Sequence, residues 1–217
     1  MDTIVSDQHM KEMTVGGSSS AILGGAAAVV LSILGLAGVV PHYMLTIAGI
    51  ALGVGLLFEG GFIAAEYRTL LMGSGAATTT SKAELGGGLG AEAMAGVGAI
   101  VLGILALLGI VPHVLMSIAS IVLGAGLMVG SGMMARLNAL KLDTSATHET
   151  AKRVAKDAMS AATGLQALVG LAGIVLGILA LIGVAEQTLN LVAMLALGSS
   201  ELVSGGAITS RVLSFFG

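Results

Sequence analysis

Apolar residues in this chain run on continuously over whole helix lengths rather than marking one face of a helix in contact with water. Six such runs cover residues 18–38, 43–67, 91–109, 113–135, 161–183 and 188–208. Each is near the ~20 residues an α-helix needs to cross ~30 Å of hydrocarbon at ~1.5 Å per residue. Strands of a membrane barrel would be about half as long and would alternate in polarity, which these runs do not. The pattern predicts an all-α integral membrane protein with six transmembrane helices.

The runs pair off. Within a pair the connection is very short: Val39-Val40-Pro41-His42, Ile110-Val111-Pro112-His113 and Val184-Ala185-Glu186-Gln187. A glycine (Gly38, Gly109, Gly183) stands where the first helix should stop. Pro41 and Pro112 stand where the next can start without a backbone N–H. Each pair therefore reads as a tight helical hairpin. Between pairs the links are longer and polar. The divisions are a polar tail at 1–17, a hairpin at 18–71, a Gly/Ser/Thr linker at 72–88, a second hairpin at 89–137, a charged linker at 138–160 and a third hairpin at 161–217.

The hairpins resemble one another. Val30-Leu31-Ser32-Ile33-Leu34 aligns with Val101-Leu102-Gly103-Ile104-Leu105 and with Val175-Leu176-Gly177-Ile178-Leu179. His42 to His113 is an offset of 71 residues, and Gly109 to Gly183 one of 74. The same offsets superimpose Gly53 and Gly55 on Gly124 and Gly126, and these on Gly198 and Ser200. Self-similarity at nearly fixed spacing predicts a tandem array, here three hairpin repeats.

Composition agrees with burial in lipid. Of 217 residues, 56% are hydrophobic and only 10% charged, against roughly 25% charged in a soluble domain. Mean hydropathy is +1.03. Without Cys there is neither a disulfide framework nor a thiolate ligand. All nine Lys and Arg (Lys11, Arg68, Lys82, Arg136, Lys141, Lys152, Arg153, Lys156, Arg211) fall on the side of the termini and linkers, and none in a hairpin turn. Basic loops are retained in the cytoplasm, so both termini and both linkers are expected there, in a plasma (inner) membrane. Residues 1–17 are polar and acidic, unlike a secretory signal. In the second linker, Glu149, Arg153 and Asp157 follow at spacings of four, the pattern of a helical lead-in to the fifth span.

Candidate chemistry is sparse. Carboxylates and amides inside spans are costly in hydrocarbon, which singles out Glu59, Glu201 and Asn190. Small residues (Gly49, Gly53, Gly55, Gly124, Gly126, Gly198 and Ser200) form faces on which helices can approach closely, within the chain or between chains. Pro41-His42 and Pro112-His113 mark turns, where the histidines suit hydrogen bonding at a helix start better than metal ligation. No catalytic triad, zinc spacing or nucleic-acid-binding patch is present, so neither enzyme chemistry, a cofactor nor nucleic acid is expected.

A small-residue hairpin with a carboxylate in its second helix resembles the proteolipid subunit of rotary ATPase rotor rings. The departure is plain: Glu59 aligns with Gly130 and Ser204, and Glu201 with Leu56 and Leu127, so no carboxylate recurs from hairpin to hairpin. Two functional expectations follow. One is a non-catalytic multi-pass subunit that anchors or scaffolds a larger assembly, as a homo-oligomer or with other membrane subunits in the bilayer. The alternative is a proton, ion or small-solute channel or transporter using Glu59, Glu201 and Asn190.

Overall fold

The computed structural model describes the backbone of residues 20–74, 79–144 and 149–214, and the side chains of 20–61, 90–132 and 163–204. The 1–17 tail and all nine basic side chains lie outside the described side chains. Among the described residues six helices follow in order: α1 (Ser20–Leu36), α2 (Pro41–Ser74), α3 (Thr79–Leu107), α4 (Pro112–Thr144), α5 (Glu149–Leu181) and α6 (Glu186–Ser214). Among the described residues there is no strand.

Among the described residues four stretches are long and apolar enough to cross a membrane: Pro41–Gly61, Gly90–Leu107, Pro112–Gly132 and Thr163–Leu181. The apolar helix Ser20–Leu36 is one turn shorter than the first of these. In α6, Asn190, Ser200 and Glu201 lower the hydropathy, and all three are buried against other helices. The helices also reach into both linkers. Helix α3 already begins at Thr79, inside the stretch expected to be a Gly/Ser/Thr linker. Ala, Lys, Glu and Leu around Gly86–Gly88 are good helix formers and offset the ~1 kcal/mol that each glycine costs. Helix α5 begins at Glu149, as the charge spacing of the second linker suggested.

One local mechanism closes all three turns. Gly38, Gly109 and Gly183 take φ of 89°, 83° and 90°, the left-handed conformation that a Cβ disfavours. Gly38 N–H donates to Gly35 O and Val39 N–H to Leu34 O, at 3.1 and 3.0 Å, which caps the last carbonyls of α1. Gly109 and Ile110 repeat this pair of bonds on Ala106 and Leu105, and Gly183 and Val184 repeat it on Ala180 and Leu179. The next residue (Val40, Val111 or Ala185) is also left-handed, at φ 36°, 35° and 40°. Its carbonyl accepts the first bond of the following helix, from Met44, Leu115 or Leu189. Proline is thus dispensable. The third turn folds the same way with Glu186 in its place.

Helices α2, α4 and α6 touch one another and enclose the core; α3 lies against both α2 and α4, and α5 against both α4 and α6. Helix α1 completes the outer layer through Gly24 on α2 and Gly25 on α6. Three glycine pairs set these approaches: Gly53 with Gly96, Gly124 with Gly170, and Gly198 with Gly25. A Cβ on Gly96, Gly170 or Gly25 would lie 2.5, 2.6 or 2.8 Å from the partner glycine's carbonyl oxygen. In lipid, where apolar contact gives little drive, such close backbone approach is what holds helices together. Inside lie Leu45, Leu52, Leu56, Met116, Leu123, Leu127, Met194 and Leu197, all essentially inaccessible. The outer helices turn Val30, Ile33, Val97, Val101, Leu168 and Val175 outward, apolar surface suited to acyl chains.

Candidate functional site

Three carboxyls come together at the linker end of the bundle. Glu201 is completely buried, and Glu59 and Glu92 retain only 5% and 4% exposure. Each comes from a different helix: α2, α3 and α6. Measured along its own helix from the adjacent turn, each lies about 22 to 27 Å away, so the three share one depth.

Small residues make the room. Glu201 leaves α6 beside Gly25 of α1, where a Cβ would come 2.9 Å from the Glu201 Cβ, and its Oε2 passes over Gly55 of α2. Glu92 lies directly on the α4 backbone at Gly130, its carboxyl filling the space that a Cβ there would take. Glu59 interacts side chain to side chain with Glu201 and lies within electrostatic range of Glu92. The Glu59–Glu201 meeting is not a well-formed hydrogen bond. Both Glu201 oxygens and Glu59 Oε2 are buried without a partner of acceptable geometry. No described side chain is a Lys or Arg, so no described cation offsets the group.

Asn190 belongs to a different place. It lies eleven residues before Glu201 on α6, about 16 Å towards the turns. There its Nδ2 donates to Ser117 Oγ at 2.9 Å, and its Oδ1 accepts from Ser120 Oγ at 3.0 Å. Both serines also face carbonyls of their own helix, at His113 and Met116. The amide is satisfied, and it latches α6 to α4. Between it and the acids stand Met194, Leu197, Leu52 and Leu123, each 0% exposed.

The small residues singled out from the sequence pack inside the chain. Gly53 meets Gly96, Gly55 meets Gly24 and Glu201, and Gly124 meets Gly170. Gly126 seats Ala95, Gly198 meets Gly25 and Ala28, and Gly49 admits the Met116 methyl. Ser200 is buried. At the turn end Pro41 and Pro112 open their helices, and the His42 and His113 rings are 6.1 Å apart between centroids. His113 Nδ1 is 3.7 Å from Glu186 Oε2, with both side chains substantially exposed. Among the described residues no three His, Asp or Glu side chains are grouped so as to hold a metal ion.

Glu92 escapes the sequence reading because it stands second in a run that the apolar pattern opens at Ala91, the place of an interfacial charge. Counting back from the turn was the available signal: fifteen residues before Leu107 is about 22 Å, level with Glu201. No family model, no curated protein and no solved structure matches this chain.

Proposed function

We propose that this chain is a six-span, plasma-membrane protein that takes up protons at Glu201, Glu59 and Glu92 and passes them on, as a proton channel or proton-coupled transporter. The observation that carries this reading is Glu201, wholly buried with both carboxylate oxygens unpartnered. Hydrocarbon-embedded carboxylates are expensive, and a protein keeps one where charge must be bound or moved. A scaffold needs no such group. The scaffold reading would also draw on small-residue faces free for other chains, and Gly49, Gly53, Gly55, Gly124, Gly126 and Gly198 are occupied within this chain.

In the same reading the bundle is three copies of one hairpin around a pseudo-threefold axis. Supporting it, Gly25, Gly96 and Gly170 recur at the offsets of 71 and 74 residues, as do their partners Gly198, Gly53 and Gly124. So do the left-handed turn residues. Along the axis the copies stack fully buried layers: Ala48, Ala119 and Ala193; then Leu52, Leu123 and Leu197; then Leu56, Leu127 and Glu201. Glu201 stands where its two counterparts are leucine. Linkers and termini face the cytoplasm, by their basic residues.

Purified protein in liposomes carrying a trapped pH indicator, with a potassium diffusion potential imposed, tests the function. Proton entry above protein-free vesicles is expected. Vesicles that stay as tight with the protein as without it would overturn the reading.

A further inference from the structure

Resting on that reading, we propose that the acids form a one-sided proton relay: Glu59 and Glu92 admit protons from the linker end, Glu201 is the terminal acceptor, and the Leu52–Leu123–Leu197 layer shuts the axis to the turn side. Burial sets the order. Glu201 is inaccessible, and the two acids beside it keep a sliver of exposure. On α6 Ser200 adjoins Glu201, and beyond it the next polar side chain towards the turns that is buried in the bundle is Asn190, about 16 Å from Glu201. The space between is leucine and methionine: the Met116 and Met194 methyls converge on Gly49, 2.7 and 3.7 Å from where its Cβ would be. A proton moves along hydrogen-bonding groups, and this stretch offers none. In this conformation exchange with water occurs from the linker end, and release to the turn side requires a slower rearrangement that parts the leucine layer.

The occupant is a proton rather than a metal ion. Hard cations need six or more oxygen ligands at close range. Here no three acidic or histidine side chains are grouped for that task among the described residues. The unpartnered Glu201 oxygens can be satisfied by an O–H proton passed from a neighbouring carboxyl. In the step, the O–H bond of protonated Glu59 breaks as an O–H bond forms on the Glu201 carboxylate. The negative charge passes to the donor, which takes a proton from water at the linker end. No electrons are exchanged.

The seat of Glu92 is built for this. Its carboxyl occupies the notch over Gly130, a position whose counterparts are Glu59 and Ser204, so any side chain there would displace it. Glu92 acts on Glu201 through Glu59 or beside it, which makes both entry groups positioning and relay residues.

The test is a pH jump applied to one face of uniformly oriented proteoliposomes. The readout is the infrared C=O band of the protonated Glu201 acid, identified as the band missing in Glu201→Gln. That band should answer a linker-side jump and ignore a turn-side jump over the same interval. Glu59→Gln and Glu92→Gln should each slow the answer at least ~tenfold, by removing a proton-transfer group. Gly130→Ala should slow it similarly; should that variant fold poorly, the isosteric Glu92→Gln variant decides. An equally fast answer from the turn side overturns the proposal, as does an unchanged rate in both Gln variants or a band that answers neither jump. A one-sided response in protein that passes no protons across the vesicle wall would sink the conduction reading and leave the relay standing.

Discussion

Replacing Gly96 by alanine should open a seam of the bundle, by an amount that follows from its geometry. A Cβ there falls 2.5 Å from Gly53 O and 2.7 Å from the Leu57 amide nitrogen. Both are backbone atoms in the body of α2, so neither can swing away as a side-chain tip would. Ordinary contact begins near 3.4 Å. Helices α2 and α3 must therefore part by up to about 0.9 Å, and a gap of that size forfeits a quarter to a half of each dispersion well along the seam. Overpacking of this kind costs about 1–3 kcal/mol. Alanine recovers about 1 kcal/mol of helix propensity, leaving a net loss of up to about 2 kcal/mol. Gly164 gives the control, since nothing lies within 4 Å of its Cβ position. Gly164→Ala should therefore be neutral or stabilising by up to ~1 kcal/mol. Reversible unfolding in mixed micelles with increasing denaturing detergent would compare the two. Indistinguishable midpoints for Gly96→Ala and Gly164→Ala would refute the close-approach argument, and Gly170→Ala should side with Gly96→Ala.

Other substitutions test other contacts in the same assay. Glu201→Met replaces a buried, unpartnered carboxyl by an unbranched apolar chain of similar length and should stabilise the fold by about 1–3 kcal/mol; a loss above ~1 kcal/mol would show that the acid is structurally bonded. Asn190→Leu should stay within about 1 kcal/mol of wild type, because Ser117 and Ser120 keep their bonds to His113 O and Met116 O; a fall of several kcal/mol would make the α4–α6 latch essential. Val111→Asn should gain about 1 kcal/mol by easing a β-branched residue at φ 35°, and a loss would mean the Val111 side chain contributes more than the strain. His113→Ala, at an exposed pairing 3.7 Å from Glu186, should change stability by less than ~1 kcal/mol.

The helices and their turns were legible because their causes are local. Runs of Leu, Val, Ile and Ala with a closing glycine dictate a hairpin whatever surrounds it, and Gly38, Gly109 and Gly183 sit where that rule puts them. Helix ends in the linkers were less legible. The residues around 79–88 and 138–160 are polar enough to read as links yet helix-forming enough to extend α3, α4 and α5. The site was half legible. Glu59 and Glu201 stand out as acids within apolar runs, but nothing in one sequence says that α2 and α6 meet. Nor does it say that Glu92 of α3 folds over Gly130 of α4. Asn190 looked equivalent to the acids on its helix stripe, and only its partners on α4 separate a satisfied latch from an unsatisfied carboxyl.

Glu201→Met, measured for proton flux and for stability in one preparation, is the most direct test of what the acidic cluster is for. If the bundle keeps a buried acid in order to handle protons, the variant should be more stable than wild type and pass no protons above protein-free vesicles. A folded Glu201→Met protein whose flux equals that of wild type would contradict the assignment of Glu201 as the group protons reach.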